Sequence, residues 1–144
     1  MSHPSLPEML KGIDLFAGVP ESVLSDLVEA GATIHTPGGR AVVTQGSDDA
    51  GLRVVLKGSA VVEVNGTRRG GELGPGDYFG EISVVDGAGR SATIIAGETG
   101  LETFAVSPLS FWPLVDRHEA LRRSLLKALC ARIRSLDVAA SATC

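Results

Sequence analysis

The residues whose types and spacing offer the most chemistry lie in Gly80-Glu81-Ile82-Ser83-Val84-Val85-Asp86-Gly87-Ala88-Gly89-Arg90-Ser91-Ala92. An acid stands near one end, and a base followed by a hydroxyl at the other. Glycine at 80 permits close backbone approach. A helical turn beginning there would aim unpaired N–H groups and the positive end of its dipole at an anion. Arg90 would add a planar, always-charged donor fork to a phosphodiester oxygen, contributing about 1.5–3 kcal/mol for a good charge-assisted bond, and Ser91 offers a second donor. Glu81 would repel a phosphate but would accept a hydrogen bond from a ribose hydroxyl beside one. A cyclic 3′,5′-phosphate leaves the 2′-hydroxyl free, so an acid and a base in one loop match its two features. Taken singly, the charged residues have a simpler reading: an exposed ion pair worth at most about 1 kcal/mol, with glycines 80, 87 and 89 serving only as turns.

Such a loop needs a scaffold, and the chain supplies one in the order helix, strands, helix. Pro20 to Ala30 opens with proline and acid, carries apolar residues at 23, 24, 27 and 28, and stops at Gly31, which predicts an amphipathic helix. Leu15 to Val19 is apolar enough to pack a turn against it. From Ala32 to Val106 short β-branched runs alternate with Gly, Pro, Asn and Asp: residues 33–36, 41–44, 52–56, 59–65, a weak run at 70–77, then 91–96 and 101–106. Many short strands of this kind predict an antiparallel sandwich or barrel. Asn65-Gly66 is a hairpin signal, and Lys57-Gly58-Ser59 reads as a turn. From about Glu119 to Asp137 there is no Gly or Pro, which predicts one long helix. Leu126, Leu129, Ile133 and Leu136 form one stripe along it, Leu121 and Leu125 a second. Either both stripes pack on the domain's own core, or one is free for a partner. Cys130 falls within this apolar pattern and is expected in the core.

The bulk properties set limits. The 144 residues suit one domain of ordinary size, and 44% hydrophobic with 21% charged residues is the balance of a globular protein. A net charge of -4 argues against a general nucleic-acid binder. Arg122, Arg123, Lys127, Arg132 and Arg134 make the last helix locally basic and read as a solvated face. No secretory signal and no apolar run of about 20 residues is present, so a cytoplasmic location without membrane insertion is expected. Two cysteines are too few for a disulfide framework, and the three histidines are scattered, so neither a metal site nor an enzyme is expected.

The stretch from Phe79 to Thr93, with a Phe-Gly-Glu start, a short helical turn, a brief loop, then Arg90 followed by small residues and a strand, resembles the phosphate-binding cassette of the cyclic-nucleotide-binding domain family. That family takes in bacterial transcriptional activators and the regulatory subunits of protein kinase A. The helix at 20–30, the strand run, Lys57-Gly58-Ser59, Gly76-Asp77 and the long last helix stand in the family's order, so the similarity covers residues 12–137. It divides the chain into a lead-in at 1–11, the domain at 12–137 and a tail at 138–144.

The resemblance implies a mainly β fold with flanking helices: an antiparallel β-barrel or jelly roll of about eight short strands, with N-terminal helices and a long C-terminal helix. It also implies that Glu81 takes the ribose 2′-hydroxyl, that Arg90 and Ser91 take the exocyclic phosphate oxygens, and that Gly80, Ile82 and Ala92 give backbone contacts, with Ser83 completing the gripping segment. Val62 and Leu73 would form an apolar wall for the base, and Arg132, Leu136 and Asp137 would face its cap. Leu136-Asp137 replaces a polar pair that meets adenine in bacterial activators. Asp137 would accept from an adenine amino group or stand as a solvated helix-end charge. Arg90-Ser91-Ala92 favours cAMP, with cGMP as the alternative, since Ser and Thr offer the same hydroxyl. No helix-turn-helix follows the last helix, so the expected function is a cyclic-nucleotide sensor without its own effector domain. It would act through movement of that helix on a partner protein or a second subunit. The alternative is a ligand-free barrel used for interaction or dimerisation.

Overall fold

The computed structural model describes the backbone of residues 5–49 and 51–142, and side chains as far as Leu136. The first helix, α1 (Leu6–Lys11), starts on a reciprocal cap: the Glu8 N–H donates to Ser5 Oγ at 3.3 Å, and the Ser5 N–H donates to the Glu8 carboxylate at 3.2 Å. Although 1–11 reads as a lead-in, Leu10 is fully buried in the same core as the residues that follow. After a 3-10 turn at Asp14–Phe16, α2 (Glu21–Ala30) buries Val23, Leu24 and Leu27 and ends at Gly31, as its sequence predicts.

The sheet contains β1 (Ala32–Thr36), β2 (Ala41–Val43), β3 (Leu52–Val64), β4 (Thr67–Leu73), β5 (Tyr78–Phe79) and β6 (Thr93–Val106), all paired antiparallel. These are six described strands where about eight short ones were expected. The difference lies in β3 and β6, of 13 and 14 residues, each running through a point where the sequence suggests a break. One half of the pair, Leu52–Gly58 with Leu101–Val106, is flanked by β5 and β1; the other, Ala60–Glu63 with Thr93–Ala96, is flanked by β4 and β2. At the junction the register shifts between Gly58 and Ala60. Gly58 and Gly100 have φ of +87° and +89°, and a side chain on Gly58 would strike the Gly100 carbonyl. The same positive-φ glycine that reads as a turn therefore makes a bulge that creases a continuous strand. Asn65 and Gly66 (φ 53° and 80°) do form the expected tight hairpin between β3 and β4.

Three helices complete the fold: α3 (Glu81–Asp86), α4 (Pro108–Arg117) and α5 (Glu119–Ala142). The sequence does not announce α4, because Pro108 and Pro113 read as breakers. Pro108 sits in the first turn behind the Ser107 cap, where its missing N–H costs nothing, and Pro113 is carried inside the helix.

Phe16, Phe104 and Phe111 join Leu10, Leu24, Leu27, Leu52, Leu121 and Leu125 in the larger core, which fastens the helices to the sheet. A second core of Val43, Val55, Ala60, Ile94, Ala96 and Leu101 lies on the β2–β4 side. The Leu121–Leu125 stripe of α5 packs inward, and Leu129 of the other stripe is half-buried against the same core. Leu121 and Leu125 are buried, whereas Leu126, Ile133 and Leu136 are 57–61% exposed. Cys130 is exposed as well, against the expectation of a core position, because it lies off the Leu121–Leu125 stripe. The inward face of α5 is pinned by Ser124 Oγ, which donates to the Leu15 carbonyl at 2.6 Å, and by Arg122, which donates to the Val115 carbonyl at 2.8 Å.

Candidate ligand-binding site

Local chemistry sets the start of α3. Gly80, its N-cap residue, has φ +87°, a conformation that L side chains rarely adopt. A Cβ there would also collide with the Arg90 guanidinium and the Gly51 carbonyl. The sequence suggests that Gly80 admits an anion; in the structure it first admits Arg90. With six residues α3 carries only a short dipole, so attraction for an anion falls mainly to Arg90.

Arg90 is held by the connection between β2 and β3. The Gly46 N–H donates to the Arg90 carbonyl at 2.9 Å, and the Arg90 N–H to the Ser47 carbonyl at 3.0 Å. The side chain is 4% exposed, with Nη2 3.3 Å from Asp49 Oδ2 and Cζ 5.9 Å from the centre of the Phe79 ring. Among the described residues neither Nε nor Nη2 has a hydrogen-bond acceptor, so Asp49 gives a charge contact and no hydrogen bond to these donors. Burial works to raise the Asp49 pKa, but the Gly51 N–H at 3.2 Å and the charges of Arg90 and Arg53 outweigh it and hold the carboxyl below its ordinary value. Arg53 is anchored by Nη1 donating to Thr103 Oγ1 at 3.0 Å, and its own pKa is lowered, chiefly by burial. Asp49 and Ser47 are absent from the residues the sequence picks out. The run Gly46-Ser47-Asp48-Asp49 reads as a polar loop, and only tertiary pairing brings it to Arg90.

At the start of α3 the Glu81 side chain is 5% exposed, and its Oε1 lies 3.6 Å from Arg132 Nη1 on α5. Gly80, Glu81, Ile82, Ser83, Arg90, Ser91, Ala92, Val62, Leu73 and Arg132 all line one cleft of about 150 Å³, together with Val43, Tyr78, Phe79 and Ile94. The last four were not anticipated; Phe79 opens the motif, and Val43 and Ile94 are alternating strand residues whose facing is settled only by register. The Tyr78 pKa is raised, first by burial and then by the negative charges of Glu81 and Asp14.

Leu136 does not reach the cleft. It lines a neighbouring apolar groove of about 300 Å³ with Ile82, Val85, Leu129, Arg132 and Ile133. The Asp137 side chain lies outside the described residues. The cleft lining thus gathers a cation, a hydroxyl, an acid and apolar side chains, which suits an anion that also carries a hydroxyl and an apolar face.

Residues 33–118 match the pattern described as Cyclic nucleotide-binding domain, and the chain belongs to that family. It is similar to the Cyclic AMP receptor protein of Thermus thermophilus, with 32% identity over 136 residues, covering 90% of this chain and 61% of the relative. It is also similar to the cGMP-dependent protein kinase egl-4 of Caenorhabditis briggsae, with 26% identity over 126 residues, covering 84% of this chain and 17% of the relative. The fold superposes on the crystal structure of the Thermus thermophilus catabolite activator protein with a TM-score of 0.80 and 26% identity, covering 90% of this chain and 62% of that one. The chain therefore spans about three-fifths of the length of the Thermus thermophilus protein. The match bears out the expected antiparallel fold with flanking helices and a long C-terminal helix. No helix among the described residues is long and apolar enough to cross a membrane.

Proposed function

We propose that the cleft binds a cyclic nucleotide, cAMP in preference to cGMP, as the input of a regulatory module whose output passes through α5 to a partner protein or a second copy of the chain. The observation that carries this reading is the Arg90 guanidinium, almost wholly buried, with Nε and Nη2 lacking acceptors among the described residues, in the lining of the same cleft as Glu81. Asp49 balances part of its charge, but buried donors without acceptors are costly, and a phosphate oxygen would satisfy them. Arg90 and Ser91 would hold the exocyclic oxygens, Glu81 the ribose 2′-hydroxyl, the backbone of Gly80, Ile82 and Ala92 the sugar-phosphate, and Val62 and Leu73 the base. The preference for cAMP draws on Ser91 and on similarity to the Cyclic AMP receptor protein. The role is binding, with no bond in the ligand broken.

Arg132 gives the output a physical start, since it reaches from α5 to Glu81. A ribose hydroxyl competing for Glu81 would change that contact and favour one setting of α5 over another. Calorimetric titration with cAMP and cGMP tests the proposal: saturable heat, larger for cAMP at equal concentration, is expected, and no heat with either up to millimolar ligand would reject it. The exposed Leu126, Ile133 and Leu136 favour a second reading, in which the same domain associates through α5. Sedimentation across a concentration series separates the two, because association without any cyclic-nucleotide binding would leave only the second.

A further inference from the structure

Trp112, the chain's single tryptophan, lies outside the cleft yet is fastened to the helix that carries Glu81. Its indole Nε1 on α4 donates to the Val84 carbonyl on α3 at 2.9 Å. The bond answers a defined deficit. In a helix of six residues the last carbonyls have no partner inside the helix. The Gly87 N–H closes on Ser83 at 2.9 Å, and the Ala88 N–H, next in line for Val84, is taken by Asp86 Oδ1 at 2.8 Å. Val84 is fully buried, so its carbonyl is far from a ready supply of water, and the indole is a donor with no other function. Both groups are satisfied together in one setting of α3 on α4.

We infer that Trp112 is a positioning residue for the ligand site, capping α3 from α4 so that Glu81 is held in the lining of the cleft. This rests on the cyclic-nucleotide reading. Glu81, Ile82 and Ser83 ride on α3, whereas the Arg90 backbone is bonded to Gly46 and Ser47 and its side chain pairs with Asp49, so the indole bond acts most directly on the ribose grip and reaches Arg90 only through Gly80.

The test pairs Trp112→Phe, which keeps the ring and removes the donor, with cAMP and 2′-deoxy-cAMP. Loss of one neutral hydrogen bond predicts cAMP binding weaker by about five- to tenfold. Affinity for 2′-deoxy-cAMP, which lacks the hydroxyl Glu81 would take, is expected to fall by clearly less than that for cAMP, about twofold. Equal loss for both ligands, or no loss for either, overturns the inference while leaving cyclic-nucleotide binding standing; wild-type protein that binds neither ligand overturns both. If the Phe variant does not fold, the wild-type indole N–H resonance decides: it is expected to move on saturation with cAMP, and an unmoved resonance overturns the inference.

Discussion

The space left by the missing side chain of Gly80 is the space the Arg90 guanidinium occupies, so the two residues, ten apart in the chain, form one steric unit. The unit fixes where the cation sits relative to Glu81, on the residue after Gly80.

Gly80→Ala is therefore expected to damage the site twice. The left-handed backbone disfavours alanine by roughly 1–2 kcal/mol, and the added methyl group displaces Arg90. We expect a midpoint of thermal unfolding lower by several degrees, and loss of cyclic-nucleotide binding in the protein that still folds, measured by calorimetry. Unchanged affinity would mean that Arg90 does not need its present position.

Arg90→Met separates function from stability. Met keeps much of the bulk and removes a buried charge whose Nε and Nη2 lack acceptors among the described residues, but it also leaves the half-exposed Asp49 without its partner, so ligand-free stability is expected to change little. Ligand affinity is expected to fall by one to two orders of magnitude, the equivalent of about 1.5–3 kcal/mol for a charge-assisted bond. Denaturant unfolding and titration on the same sample would show a small change in the first beside a large loss in the second; a variant much less stable and equally tight would contradict the assigned role.

Asp49 sets an acid limit. Its folded pKa lies below the ordinary 3.8, so the unfolded chain binds the proton more readily, and the stabilisation is present above 3.8 and lost as pH falls through the lower folded value. Asp49→Asn is expected to flatten the dependence of stability on pH below about 4, the ordinary carboxyl range, as read from denaturant midpoints. An unaltered acid limb would remove Asp49 from the charge balance around Arg90.

The sequence reveals those features whose cause is local. Gly31 ends α2 and Asn65-Gly66 closes the hairpin because each acts through its own backbone freedom. The Phe79-Gly80-Glu81 and Arg90-Ser91-Ala92 ends of the site are readable because their spacing carries the chemistry. Features with a distant cause stay hidden. Gly58 has the same preference in a turn as in a bulge, and pairing with β6 decides between them. Pro113 argues against helix until Phe111, Leu114 and Val115 are seen buried against α2 and α5. Asp49 looks like any loop acid until Arg90 is brought 3.3 Å away, and Cys130 turns outward because its neighbours Leu121 and Leu125 already fill the inward face.

The crease at Gly58 leaves β3 and β6 unbroken, so the half that holds the cleft and the half that holds the helices share the same two backbones. Neither half can melt without tearing ladder bonds out of the other, and the chain should unfold in a single cooperative transition. Energy released at Arg90 then registers as resistance to unfolding at Leu121 and Leu125, across the whole body of the domain.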